Sequence, residues 1–600
     1  MTSIPTGAVT VHTFGVHYRW ELPPIIETQL RLAHEAREEF VALHLAYDAD
    51  VKALWSSYPG VASAETELEQ AETDCAAVTE QAKALRVQRS SRRTVPEIQA
   101  QLRAAKNRLS EARQARRDAI TAVRDVSAQR RRDRLKQLRA DQKALYTKYT
   151  GQGLYWATVN DIAAQHKALV QRINKQRREG RPAQLRHRRF DGTGTLTVQI
   201  QRRDAAPIRT PATLANTQGR YSYFAVLPWI APQRWEAMAP AERRAAGRVS
   251  VRMRVGSTGE GQPQWVDIPV QAHRWLPAQA DITHVRLSVK RIAARRTAQV
   301  LVTARTDQQH ALASDRAAVA VHLGWRQTES GIQVASWRST APLQIPPALE
   351  SVMIADPGAT TGHIVVPPAI TARLDRTDQL GSMRAESLPH VRDALAAWLH
   401  AHGPVQSQGR ALTADVVRQW RSPAQFAAVA KAWRDSEAPD GIGATLEAWR
   451  KVDVRLWDRQ EHGRRRALGH RDDLYRQVSA AIIGQARMVV VDDMDLSELA
   501  RVANSDPGEP VALQRSAERR HRAAPGRFRE AVEAAARRAG LRCEAVSPKG
   551  IARIHAACGY QNPGDGRFAS SLVTCEGCGE QYEVDASTTL LMLRGAGVLS

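Results

Sequence analysis

VAVHLGWRQ, Val319 to Gln327, decides how the C-terminal half of this chain is read. Apolar residues run to a tip, Leu323-Gly324 turns the chain, and GIQVASW (331–337) resumes the β pattern. Strand, tight turn and second strand follow from that spacing. A carboxylate at such a tip would offer a hard-cation ligand, but the residue there is His322. Two further acidic positions lie downstream. The apolar strand RMVVVDD (487–493) ends in Asp492 and Asp493, and Asp585 opens the helical run DASTTLLML (585–593).

Composition bounds the rest. A chain of 600 residues implies several domains, and 43% hydrophobic residues suffice for packed cores. With 86 basic against 62 acidic side chains the net charge is +24 and the pI about 10.4. A chain this basic is expected to bind a polyanion, nucleic acid first among them; the bland alternative is a generally basic surface. No apolar run reaches the roughly 18–20 residues of a membrane span. The start MTSIPTGAVTVHTFG lacks a basic segment followed by an apolar one. These features argue against membrane and secreted classes and lead us to expect a cytoplasmic protein. Three of the five cysteines, Cys558, Cys575 and Cys578, cluster near the end, which favours metal over disulfides. Cys543 reads as a strand residue and Cys75 as a helix residue.

The chain divides by pattern into a multidomain α/β, β-barrel and helical arrangement. Residues 1–20 alternate as a first strand; 21–190 are helical; 191–315 are β; 316–547 alternate strands and helices; 548–580 hold the cysteines; 581–600 are a last helix. Within the helical part, 62–147 reads as one long hairpin broken at Ser90–Pro96, with Thr94 as N-cap. RVSVRMRVG (248–256) sets Val249, Val251, Met253 and Val255 on one face and Arg252 and Arg254 on the other; HVRLSVK (284–290) repeats this with Arg286 and Lys290 outward. A β domain with one basic face suits a nucleic-acid platform. Further basic candidates are Arg116, Arg130 and Arg131 on the hairpin, and Arg450, Arg464, Arg465, Arg471 and Arg476 on the helical stretch before the second acidic motif. Each has the plain alternative of a solvated helix face. Gln176, Arg178 and Arg181 are lesser candidates. Residues 503–526, Pro/Gly-punctuated and basic, read as a loop.

His555-x-x-Cys558-Gly559 and Cys575-x-x-Cys578-Gly579 are two copies of one knuckle. Ligands three apart on a tight turn present both donor atoms to one ion, and the glycine lets backbone N–H groups approach the sulfurs. Four such ligands close a tetrahedral Zn²⁺ site with no place for substrate, so the site is expected to be structural.

A cysteine knuckle followed at once by an Asp-bearing helix resembles the tail of TnpB nucleases and the type V CRISPR-associated effectors derived from them, whose tail reads C-x-x-C-G, spacer, C-x-x-C-G, D-x-D-x-N-A-A. Asp585 falls on their active-site Asp, while Ser587 replaces the usual Asn and Thr588-Thr589 the Ala pair. Asp492 falls on the usual Glu, and His322 on the first Asp of D-x-G. Size, a helical insertion in a β domain, and HLGWR before a hairpin look most like the compact type V-M effectors. The resemblance rests on motifs in the C-terminal half and on layout alone in the N-terminal half. It implies an RNase H-like (RuvC) domain with a C-terminal zinc ribbon, an OB-like wedge β domain and an inserted helical recognition lobe. It also implies a monomer that binds one CRISPR guide RNA and double-stranded DNA behind a T-rich 5′ flanking motif in a prokaryotic cytoplasm. Carboxylates in this order hold two divalent ions in active relatives. With His322 in place and Asp492 one methylene short, at most weak Mg²⁺ binding and little DNA cleavage are expected, so that targets would be silenced by occupancy. Residual guide-RNA processing is a further expectation. The alternatives are an active RNA-guided endonuclease using Asp356 of SVMIADPG (351–358) as its first ligand, and a TnpB-like transposon protein.

Overall fold

The computed structural model describes residues 8–16, 20–88, 96–179, 183–199, 224–272, 275–276, 281–306, 316–407, 409–434, 441–494, 496, 511–547, 550–563 and 571–599. Thr94 and Arg181 lie outside them. Two compact units result, one from residues 10–290 and 296–306, the other from 307–600 with the short segments 1–9 and 291–295.

In the first unit strand β1 (Ala8–Val16) precedes helices α1 (Pro24–Ser56), α2 (Pro59–Gln88), α3 (Pro96–Ala122), α4 (Ala128–Gly151) and α5 (Trp156–Arg178). Strands β2 (Gly194–Gln199), β3 (Phe224–Leu227), β4 (Arg248–Ser257), β5 (Pro263–Gln271), β6 (Asp281–Ile292) and β7 (Arg295–Thr306) follow, with short helices α6 (Pro232–Ala237) and α7 (Pro240–Ala246) between β3 and β4. The sheet order is β2-β6-β7-β1-β5-β4-β3, so the strand before the helices lies in the middle of the sheet formed after them. Val249, Val251, Met253 and Val255 of β4 are all buried, as period-two alternation requires. They share a core with Ile26 and Leu30 of α1 and Val159 of α5.

The long arm expected over 62–147 is not a simple hairpin. α2 pairs with α3, but the chain breaks at Val123–Ser127, and α4 packs instead on α1 and α5. Lys148 pairs with Glu39 at 2.5 Å, and Arg134 donates to the Asp50 carbonyl. Asp125, Val126 and Ser127 are poor helix formers in succession, and the Ser127 hydroxyl takes a bond from Arg131.

The second unit begins with β8 (Ala317–Leu323), β9 (Gln327–Thr328), β10 (Gly331–Ser339), β11 (Met353–Ala355) and β12 (Thr361–Val366). A helical layer follows: α8 (Pro368–His402), the hairpin β13 (Val405–Ser407) and β14 (Arg410–Leu412), α9 (Ala414–Arg418), α10 (Pro423–Arg434) and α11 (Ile442–Ile483). The chain then returns to β15 (Ala486–Asp492), α12 (Val511–Ala523), α13 (Pro525–Ala539) and β16 (Arg542–Val546), and closes with β17 (Leu572–Thr574), β18 (Gln581–Glu583) and α14 (Val584–Gly595).

The main sheet runs β11-β12-β10-β8-β15-β16. β15 is parallel to both β8 and β16, while β8, β10, β12 and β11 alternate in direction. Every residue of β8 is buried, because helices cover both faces. Val319 and Val321 pack with Tyr475, Val478 and Ile482 of α11 and with Phe528 and Val532 of α13. Ala318 and Ala320 pack with Met592 and Leu593 of α14. The two alanines let α14 come close, which sets where Asp585 falls.

The loop expected over 503–526 is overturned in its described part, where α12 occupies 511–523. The Pro and Gly signals flank this stretch rather than interrupt it, and Glu518 and Arg522 form an i,i+4 pair at 2.7 Å.

Candidate functional site

Parallel register aligns Val491 of β15 with Val321 of β8, so the next residues on each strand, Asp492 and His322, meet at the carboxyl ends. His322 is 8% exposed and Asp492 1%. The His322 Nδ1 lies 3.0 Å from Asp492 Oδ2 and 3.1 Å from Oδ1, and the Leu323 backbone N–H also donates to Oδ2. Arg529 of α13 clamps the strand end by donating to the carbonyls of Asp492 and Met494.

Asp585, in the first turn of α14, completes the group. Its Oδ2 accepts from Gln333 Nε2 at 2.7 Å and Ser336 Oγ at 3.0 Å, and Arg326 approaches to 3.7 Å. Ser336 faces His322 across the β8–β10 pairing. Glu583 caps α14 by accepting from the Ala586 N–H.

These charges fix the protonation states. Burial by itself would lower the His322 pKa, but Asp492, through its charge and hydrogen bond, with Asp585 and Glu583 behind it, raises the ring to about 9. Burial opposes ionisation of Asp585 too, yet His322 and Arg326 hold it below the usual carboxylate range. Burial, followed by the nearby Asp585 charge, raises Glu583. At neutral pH the His322 ring is therefore an imidazolium, hydrogen-bonded to Asp492 with the Asp585 carboxylate nearby. The residues do not fit Mg²⁺: one position offers an N–H where an oxygen ligand is needed, and the carboxylates already accept from protein donors. Asp356 is no member of this group. It sits in an exposed turn after the edge strand β11 and accepts from the Thr361 hydroxyl at 2.7 Å.

The second cluster has the opposite character. The ligand atoms of His555, Cys558, Cys575 and Cys578 lie within 4.8 Å of one another and could hold a metal ion. Both turns are built alike. The Gly559 N–H donates to the His555 carbonyl and the Gly579 N–H to the Cys575 carbonyl, each at 2.8 Å; the His555 and Cys575 N–H groups return bonds to Tyr560 and Glu580. Gly559 and Gly579 have φ of 74° and 78°, a conformation that costs glycine little. The His555 ring stacks on Tyr582, whose hydroxyl accepts from Asn562. The Cys575 thiol falls to about 6, because backbone N–H groups of Cys578 and Gly577 and the neighbouring thiols outweigh desolvation. Soft sulfur and imidazole donors in this number suit Zn²⁺.

Ser587 joins the two clusters, which sequence reasoning missed. Its hydroxyl donates to the Ile554 carbonyl and accepts from the Ala556 N–H, both at 2.8 Å, on either side of His555. Arg594 adds a bond to the Ala556 carbonyl. The partners Gln333, Ser336 and Arg529 carry no motif of their own, and Arg326 is the last residue of HLGWR.

The basic candidates separate. Arg471 is buried, bonded to Asp472 and to the Arg522 carbonyl, and so belongs to the interior rather than to a ligand surface. Arg116 pairs with Glu65, Arg252 with Asp267, Arg286 with Asp161, Arg450 with Glu447 and Arg476 with Asp473. Arg131 bonds the Arg124 carbonyl in the turn before its helix, and Arg254 bonds the Gly256 carbonyl on its own strand. Arg130, Lys290, Arg464 and Arg465 are exposed and make no ion pair among the described residues. Cys543 is half-buried in β16 and Cys75 half-buried on α2.

No family model matches the chain. A protein of Mycolicibacterium mucogenicum described as "CRISPR-associated DNA-binding protein Cas12m" is 48% identical over 591 residues, 98% of each chain. Another of the same description, from Gordonia otitidis, is 44% identical over 602 residues, again 98% of each. A solved Cas12f1–sgRNA–target DNA complex aligns over 98% of both chains at 9% identity and a TM-score of 0.36. The class is thus that of type V CRISPR-associated effectors, with a mixed α/β multidomain fold. Within it, the chain belongs to the Cas12m family of subtype V-M.

Proposed function

We propose that this protein is a guide-RNA-directed effector that binds matching double-stranded DNA and silences it by occupancy, with little or no DNA cleavage. The observation that carries this is the buried His322–Asp492 pair. It stands where two catalytic metal ions would need uncompensated carboxylates. The sheet order around β8, with β10 and β12 antiparallel on one side and β15 and β16 parallel on the other, supports an RNase H-like reading of residues 316–547 and 581–600. The relatives' description as DNA-binding proteins supports the partner.

In this reading base pairing supplies sequence, and the protein reads a short T-rich 5′ flank and the heteroduplex backbone. Residues 1–20 and 191–315 act as an OB-like wedge, 21–190 as the recognition lobe and 548–580 as a zinc ribbon. Arg130, Lys290, Arg464 and Arg465 are the exposed phosphate contacts. One protein takes one guide, in a prokaryotic cytoplasm. A remaining capacity to trim guide precursors would require Asp492, so Asp492→Ala should abolish it.

The test combines purified protein, guide and a plasmid bearing the target behind a randomised flank, scored for binding and nicking in Mg²⁺ and Mn²⁺. Guide-dependent binding without nicking is expected. Efficient cutting abolished by Asp585→Ala would overturn the inactive-site reading, and cutting abolished by Asp356→Ala would move the first ligand to β11.

A further inference from the structure

The first unit holds a cavity of about 590 Å³ between α1, α5 and the start of β2. Its wall carries Arg37, Arg172, Arg188, His34 and His166. Of the nearby acids Asp161 is committed on both oxygens, while Glu38 is bonded through Oε2 and its buried Oε1 has no hydrogen-bond partner among the described residues. Asp161 accepts from Arg286 on both oxygens and from Thr197, and Glu38 accepts from the His187 ring and the Arg188 N–H. Arg37 and Arg172 make no ion pair among the described residues. Burial, and then the positive charge of Arg188, lower Arg37 from its ordinary value against the opposing pull of the Glu38 carboxylate.

A second observation points the same way. His166 is 6% exposed, lines the cavity, and has no hydrogen-bond partner at Nε2. A buried ring nitrogen is costly to leave unpaired, and a ligand that turns the ring toward the cavity would satisfy it. Burial, with His44 and Arg37, lowers this ring to about 4, so it is neutral and can donate or accept. At the wall the His34 ring leans on Phe190 with centroids 5.3 Å apart, and the Arg31 guanidinium lies 5.0 Å over Phe190. Such a surface stacks a nucleobase.

We propose that this cavity is a single-nucleotide site, with the phosphate among Arg37, Arg172 and Arg188, the base against His34, and a sugar or base polar atom on His166. Its volume suits one extruded nucleotide and excludes a duplex. The proposal rests on the reading of the protein as a guided nucleic-acid binder. The nucleotide comes from the guide RNA or from an unwound DNA strand, and both present the same phosphate-and-base chemistry.

The experiment uses the full chain and the double variant Arg37→Ala/Arg172→Ala, with thermal melting as the check on folding. If that variant melts low, Arg172→Gln, on an exposed side chain, takes its place. Uridine 5′-monophosphate and inorganic phosphate are titrated against each protein by calorimetry. Affinity is then measured for guide RNA and, separately, for target DNA by the loaded complex, across a salt series. Uridine 5′-monophosphate should bind wild type and bind the variant about tenfold more weakly, with a shallower salt dependence for one nucleic acid. Loss at guide loading assigns the nucleotide to RNA, and loss only at target capture assigns it to DNA. A natively melting variant with all affinities unchanged overturns the site, as does inorganic phosphate binding as tightly as the nucleotide. Failure of wild type to capture guide-matched DNA would sink the proposed function, while the mononucleotide titration would still decide the pocket.

Discussion

The knuckle cluster and the His322 cluster sit close in the second unit, joined through Ser587, and have solved opposite electrostatic problems. In the knuckles four soft donors converge, and among the described residues a thiolate at Cys575 is met by backbone N–H groups and other sulfurs. That arrangement calls for a cation from outside. In the other cluster the cation is part of the chain. His322 carries the charge, and Gln333, Ser336, Arg326 and the Leu323 N–H occupy the carboxylates. A metal site is thus defined by negative charge the protein leaves uncompensated, and a cationic ring at the tip of β8 removes that demand from this cluster.

The strongest way to break the comparison is to strip the metal. Removing zinc with a chelator, or replacing Cys575 with Ser, should unfold the knuckles and loosen α14 through Ser587 and Arg594. Structural zinc contributes on the order of 10 kcal/mol in small zinc domains. Hydrogen exchange over 550–595 should rise sharply, while the same chelator should leave exchange at β8 and β15 unaffected. Equal loss of protection in both clusters would mean the second one also depends on a metal.

Next in size is Asp492→Ala, which removes the nearest counter-charge of the buried His322 ring and leaves the Leu323 N–H without its acceptor. The expected cost is about 3–5 kcal/mol in denaturant unfolding. A cost under about 1 kcal/mol would mean the pair is not ionised.

The pH dependence sharpens the same point. The folded His322 pKa, about 9, lies above the 6.5 of a free ring. Its contribution is therefore full below pH 6.5 and lost as pH rises through 9, at most about 3 kcal/mol. The difference in stability between wild type and His322→Gln should narrow over that window. A constant difference would argue against a cationic ring. The smallest effect belongs to Ser587→Ala, which leaves the Ala556 N–H without its partner. About 1–2 kcal/mol should be lost, with faster exchange at both clusters.

Several features were legible without coordinates because they are local. The alternation of β4 follows from backbone pleat, and the paired knuckles follow from ligand spacing with a glycine that turns the chain. The order of His322, Asp492 and Asp585 could be read because the first two end apolar strands and the third opens a helix. The misreadings arose where local signals had no tertiary check. Pro and Gly around 506–526 suggested a loop, yet the residues from Val511 to Ala523 form a helix. Charge on α11 suggested a ligand surface, yet Arg471 turns inward to the Arg522 carbonyl.

The sequence by itself determined which residue types are present at each strand tip and knuckle, hence the donor chemistry and the positive balance of the whole chain. Only the tertiary structure decided that His322 and Asp492 touch, through the parallel register of β8 and β15, and that Gln333 and Ser336 donate hydrogen bonds to Asp585 across 249 or more residues. Local spacing encodes a turn or a face. Whether a charge is satisfied depends on the neighbours that packing brings to it, and no short stretch of sequence contains them.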